Sequence, residues 1–272
     1  MSVVVVTDSS CCLDPELVER YDIRVVPLHV IADGVELREG VDDLPADLSG
    51  VTTSGPSPAE LTEAYAEALS DSGGDGVVAV HLSRELSGTW SAARYAADAL
   101  GDRVQLVDSR NTAMGLGFAA LAAAEAARSG ADVRAVYERA VEVAAHSRTL
   151  LVVDRLDHLR RGGRIGTATA LLGTALAMKP VLHLVDGRLV LREKTRTMTK
   201  AMTKLVDGVV DTAEPVTAVA VHHREAPERA ERLVAELAGR LPAGTPLSVS
   251  ELDAVLGAHV GPGAVGVVVS RA

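Results

Sequence analysis

The stretch Val77 to Ala93, VVAVHLSRELSGTWSAA, constrains the chain more than any other. Val77 to Leu82 is an apolar, β-branched run of strand length, and Thr89 to Leu100 carries Ala, Trp, Tyr and Leu at helical spacing. The pattern therefore switches from a buried strand to a helix across the short polar link Ser83-Arg84-Glu85-Leu86-Ser87-Gly88. A strand that feeds a helix in this way leaves unpaired backbone N–H groups at the helix start, where the macrodipole favours an anion. Ser87 adds a hydroxyl, and Gly88 lets a ligand come close to the backbone. The same serine equally suits a plain helix cap, and the stretch alone leaves both roles open.

Around it, strand and helix patterns alternate. Val3 to Thr7 reads as a buried strand opening into the polar Thr7-Asp8-Ser9-Ser10, and Leu13 to Tyr21 as a short helix. Arg24 to Val30 predicts a second strand, followed by a hairpin turn at Ala32-Asp33-Gly34. Thr52 to Glu60 reads as a polar loop ending in a helix start, with Ser57 as cap, Pro58 first and Glu60 closing a capping box. Val104 to Val107 predicts a strand running into the polar Asp108 loop, and Ala113 to Arg128 and Val133 to Ala145 predict helices. Such alternation implies a mostly parallel sheet covered on both faces, with ligands outside the carboxyl ends of its strands.

The pattern changes after about Thr149. A charged segment ends in Arg160-Arg161-Gly162-Gly163-Arg164, and the apolar Gly166 to Met178 suits a buried helix or a pocket wall. A hairpin over Val181 to Leu191 precedes alternating helices and strands up to Val265–Ser270. The expected fold is α/β in two domains. Residues 1–150 form a mostly parallel α/β/α sandwich, and residues 151–272 an α/β domain with a mixed or antiparallel sheet.

A net charge of −10 over 272 residues, with no long basic block, argues against nucleic-acid or anionic membrane binding. Its two cysteines are the adjacent Cys11 and Cys12, and Met1 to Ser10 lacks the basic start and apolar core of a signal peptide, so a cytoplasmic location is expected. No apolar run reaches the 18 residues of a membrane span. Aromatic residues are only 2% of the chain, so a pocket would be walled by aliphatic side chains, which suits an aliphatic guest better than a stacked base or flavin.

A serine enzyme would need a nucleophile, a base and an orienting acid, and no Gly-x-Ser-x-Gly elbow is present. His259, in LGAHVGPG, is a polar side chain held among glycines and a proline, either for a purpose or as an incidental surface turn. No ligand-spaced Cys/His cluster, Walker loop or Gly-x-Gly-x-x-Gly after a strand occurs, so neither a metal nor a nucleotide cofactor is expected. Arg164 can meet a carboxylate or phosphate, or belong to a solvated basic patch.

Taken together, Val6-Thr7-Asp8-Ser9-Ser10, Thr53-Ser54-Gly55-Pro56-Ser57, Leu86-Ser87-Gly88-Thr89, Val107-Asp108-Ser109, Arg161-Gly162-Gly163-Arg164-Ile165, Lys179-Pro180 and His259 to Gly263 resemble the DegV family. These are fatty-acid-binding carrier subunits of bacterial fatty acid kinase. The resemblance implies a non-catalytic protein that holds a long-chain fatty acid between two domains and presents its carboxylate to an ATP-dependent kinase partner. It also implies that Thr53, Ser54, Ser87 and Gly88 bind the carboxylate end with His259 nearby, and that Arg164 serves the head group and the kinase encounter. Gly55 and Arg84-Glu85 depart from the family pattern, which carries a larger polar residue at the first position and a smaller, more neutral pair at the second. The rival reading is a stand-alone serine hydrolase or phosphotransferase using Ser87 and His259.

Overall fold

A computed structural model of the chain describes residues 2–166, 178–211 and 214–272. The apolar stretch expected as a buried helix or pocket wall lies, from 167 to 177, outside the described residues. Two compact units emerge: Met1–Ala46 with Gly50–Ala145, and Asp47–Ser49 with His146–Ala272.

In the first unit, β1 (Val4–Asp8) enters a single 3-10 turn at Ser9–Cys11 and is followed by α1 (Pro15–Tyr21), β2 (Arg24–Val26), β3 (His29–Ala32), β4 (Val35–Arg38) and β5 (Thr52–Ser54). Next come α2 (Pro58–Asp71), β6 (Val77–His81), α3 (Thr89–Leu100), β7 (Val104–Asp108), α4 (Met114–Arg128) and α5 (Val133–His146). Strands β2-β1-β6-β7 form a parallel sheet. Every residue of β1 and β6 is buried, as expected for central strands covered on both faces. Because β1, β6 and β7 run parallel, the polar loops that follow Asp8, His81 and Asp108 leave the same edge. Val4, Val6, Ala79, Leu61, Tyr65, Ala93 and Ala96 make one core of sheet and helix side chains.

Two expectations change here. Arg24 to Val30 is not one strand: β2 pairs with β1, whereas β3 joins an antiparallel sheet of order β4-β3-β5. Pro27 stands between them, and a residue without an N–H cannot continue a ladder. Thr52 to Ser54, expected as loop, is the edge strand of that small sheet, its three residues being too few to show a period.

The second unit contains β8 (Ser147–Val152), α6 (Asp157–Arg161), β9 (Lys179–Val185), β10 (Arg188–Thr195), α7 (Met198–Val210) and β11 (Val216–His223). It closes with α8 (Pro227–Ala238), β12 (Leu247–Glu251), α9 (Ala254–Val260) and β13 (Val265–Arg271). Its mixed sheet has the order β10-β9-β8-β13-β11-β12, antiparallel except at β11–β12. All six residues of β8 pair with β13, which joins Ser147–Val152 to the sheet of the second unit. Along β9, Val181 joins the core of α7 and α8 and Leu182 a smaller core with Leu159, Ile165 and Leu189, because successive strand side chains alternate faces. Among the described residues no helix is long and apolar enough to cross a membrane.

Strand β11, between β13 and the edge strand β12, holds the buried His222, its Nδ1 2.9 Å from Ser250 Oγ. Burial, and secondarily His223, push its pKa down to about 4. The ordinary value near 6.5 applies in the unfolded chain, which therefore takes up the proton first. The corresponding stability is complete above about pH 6.5 and is lost as the pH falls towards about 4, at most about 3 kcal/mol. Denaturant unfolding at a series of pH values should show this acid arm, and His222→Gln should flatten it.

Candidate functional site

The loops at the edge of the parallel sheet are held by one buried carboxylate. Asp8, at the end of β1, is fully buried. Its Oδ1 accepts from Ser10 N at 3.2 Å and Ser10 Oγ at 2.6 Å. Its Oδ2 accepts from His81 Nδ1 and from Leu82 N, each at 2.9 Å. Tyr65 of α2 completes the chain, with its hydroxyl 2.6 Å from His81 Nε2. Burial, then the Asp8 charge, raises the Tyr65 pKa, so the phenol keeps its proton and donates it to the imidazole. Sequence patterning pointed to Asp8 and Ser10 and not to the partnership with His81 and Tyr65. The visible signals were a histidine ending the apolar run of β6 and a lone tyrosine on the inner face of α2.

The Ser87 loop starts α3. Gly88 is the N-cap residue and makes no side-chain cap bond. Ser87 therefore does not cap in the expected position. Its Oγ instead accepts from Thr89 N at 3.2 Å and exchanges a 2.9 Å hydrogen bond with Thr89 Oγ1. Thr53 lies in the middle of β5 opposite Val30, and Ser54 Oγ donates to Glu36 Oε1 at 2.8 Å. Gly55 brings the two segments together: a methyl group there would stand 2.5 Å from Thr89 Oγ1. That contact accounts for glycine at this position. Gly88, by contrast, faces open space at an ordinary φ of −70°.

The other two site residues belong to the second unit. His259 is not in a loop: it lies in the last turn of α9, with the Gly261-Pro262-Gly263 turn after it. The glycine-flanked sequence hid a helix of only seven residues. Burial, and then the nearby Arg164 guanidinium, push the His259 pKa down to about 4, so at neutral pH the imidazole is uncharged. A methyl group on Gly162 would overlap the His259 ring, so glycine is what allows α6 and α9 to approach. Arg164 donates through Nη1 to the Gly162 carbonyl, and His158 Nδ1 lies 3.3 Å from the Ala258 carbonyl oxygen. The Gly-Gly-Arg-Ile turn, Arg164 and His259 are thus one constellation.

Chemically, the first unit offers the Ser87 and Thr89 hydroxyls at a helix start, and the second a neutral imidazole and a guanidinium. All are groups that receive an anion without a metal. Among the described residues, no group of three or more His, Cys, Asp or Glu side chains is placed to hold a metal ion.

Two substitutions separate scaffold from site. Asp8→Asn removes a charge that four donors surround and should cost about 3 kcal/mol of unfolding free energy in denaturant titration. Gly88→Ala adds a methyl that meets no protein atom within 4 Å. It should leave the melting temperature within about 1 °C while lowering the affinity of any ligand seated on the helix start.

Residues 2–272 match the family model described as "Uncharacterised protein, DegV family". The DegV domain-containing protein of Mycobacterium tuberculosis is 50% identical over 272 residues, covering 99% of this chain and 97% of the relative. A fatty-acid-binding DegV family protein from Thermus thermophilus superposes with a TM-score of 0.92 at 33% identity, covering 100% of both chains. DegV of Bacillus subtilis, a fatty acid binding protein, does so with a TM-score of 0.86 at 33% identity, again over 100% of both. Matched over its whole described length in sequence and in fold, this chain belongs to the DegV family.

Proposed function

We propose that this protein binds a long-chain fatty acid, presents its carboxylate to an ATP-dependent fatty acid kinase partner, and carries the acyl phosphate product. What supports it is membership in a family whose T. thermophilus and B. subtilis members bind fatty acids. In this proposal Thr53, Ser54, Ser87 and Gly88 receive the carboxylate, His259 assists as an uncharged donor, and Arg164 meets the head group and the partner. The protein itself is a carrier without cofactor and without catalysis, working in the cytoplasm.

The energetics suit such a task. About fifteen buried methylenes at about 0.8 kcal/mol each give about 12 kcal/mol gross, before the costs of association. A carboxylate desolvated without partners would cancel several kcal/mol of that, so the apolar tail requires polar seats at its head. Ser87 and Thr89, hydrogen-bonded to each other at the start of α3, are donors already gathered for that purpose. A hydrolase would instead need Ser87 activated by a base, whereas the Ser87 hydroxyl is hydrogen-bonded to the hydroxyl and the N–H of Thr89.

Protein purified from its own cell extract, denatured and analysed by mass spectrometry, should release fatty acid in near-stoichiometric amount. Ser87→Ala should weaken fatty acid binding about tenfold with little change in melting temperature, the loss of one hydrogen bond to a charged group. Lipid-free protein that also takes up no added fatty acid would refute the proposal.

A further inference from the structure

His29 opens β3, with only 4% of its surface exposed, and stands in register with Arg38 of β4 on one side and Ser54 of β5 on the other. Its two ring nitrogens face two different carboxylates. Nδ1 is 2.8 Å from Glu36 Oε1 of β4, and Nε2 is 3.2 Å from Glu60 Oε1 of α2. The first contact has hydrogen-bond geometry, while the second is an ion-pair distance off the line of a hydrogen bond.

Each carboxylate also holds one end of a short segment. Glu36 Oε1 accepts from Ser54 Oγ at 2.8 Å. Glu60 Oε2 accepts from Ser57 N at 2.8 Å and Ser57 Oγ at 2.7 Å, the capping box of α2. Between these anchors lies Gly55, packed on Thr89 beside Ser87. The imidazole thus joins both anchors of the Ser54–Ser57 segment. The groups facing it are Glu36 and Arg38 from β4, Ser54 from β5 and Glu60 from α2, with Asp42 near enough to feel its charge. Arg38 is turned to Asp42 through Nε at 3.1 Å and Nη2 at 3.2 Å, which leaves His29 to serve the two glutamates.

We propose that His29 is a positioning residue for the carboxylate seat: doubly protonated, it clamps Glu36 and Glu60 and fixes the Ser54–Ser57 segment against Thr89, and loss of one proton loosens the segment and weakens fatty acid binding. An imidazolium has a donor for each glutamate, whereas a neutral ring keeps one donor and turns a lone pair towards the other carboxylate. Consistent with the clamp, the Glu36 carboxyl is held below its ordinary range by hydrogen bonds from His29 and Ser54. For Glu60, burial works upward, but the bonds from Ser57 and the charge of His29 outweigh it. The proposal rests on the fatty-acid-binding function proposed above and adds a pH dependence to it.

The test follows oleate affinity from about pH 6 to about pH 9 in the full chain, in His29→Gln and in Glu36→Gln. Amide exchange of residues 54–61, corrected for intrinsic rates, is followed in parallel without lipid. Wild-type affinity should fall about tenfold as the pH rises, the worth of one charge-assisted hydrogen bond. The exchange protection of residues 54–61 should fall with it. His29→Gln should bind at the weakened level at every pH with a flat profile, and Glu36→Gln should share that flattening. Wild type and His29→Gln binding oleate alike at every pH would overturn the clamp and leave the fatty-acid-binding function standing. Exchange that follows the pH equally in both proteins would overturn it too. No oleate binding by the wild type at any pH would overturn the function, and the proposal with it.

Discussion

The carboxylate of Asp8 is the constraint on which the edge of the first sheet depends. Two parallel strands and a helix supply it with donors or with a donor's partner: Ser10 beyond β1, His81 and Leu82 at the end of β6, and Tyr65 of α2 behind His81. An ion buried without such a shell would cost several kcal/mol, so the loops cannot move away from it independently. The Ser87 loop leaves the sheet only a few residues after Leu82. Its start is therefore fixed in space by the Asp8 carboxylate.

A second polar network stands beside the first and works differently. Asp8 and its partners are fully enclosed, and every polar atom of the carboxylate is matched. The His29, Glu36 and Glu60 group has one buried member and two carboxylates with substantial exposure. Enclosed networks resist change because each unpaired atom is expensive, whereas a partly exposed one can gain or lose a proton at modest cost. The scaffold of the Ser87 loop is thus enclosed, and the anchor of the Ser54–Ser57 segment is partly exposed. In the second unit, burial beside Arg164 gives His259 its uncharged state, and Gly162 gives the ring its place.

Much of this was legible in the chain. Val77–His81 followed by Thr89–Leu100 reads directly from periodicity, and Ser57, Pro58 and Glu60 form the capping box that their spacing predicts. Asp33-Gly34 and Asp186-Gly187 turn with positive φ at all four residues, as hairpin chemistry requires. Short elements were not legible. Thr52–Ser54 has no room for an alternation, α6 was masked by its charge, and α9 by its glycines. His29 looked like one more residue of a single strand until Pro27 divided that strand between two sheets.

By itself the sequence determined the class of the fold and the aliphatic character of its interior. Local hydrogen-bonding and burial patterns repeat with fixed periods, and a chain rich in Ala, Val and Leu with 2% aromatic residues can wall a pocket only with aliphatic groups. Tertiary structure alone decided which polar side chains meet. Asp8 and His81 are 73 residues apart, and Gly55 touches Thr89 across another long separation. Hydrogen bonds and ion pairs act over a few ångströms in space and carry no periodic trace along the chain. Their partners became visible only when the sheet had brought its strand ends to one edge.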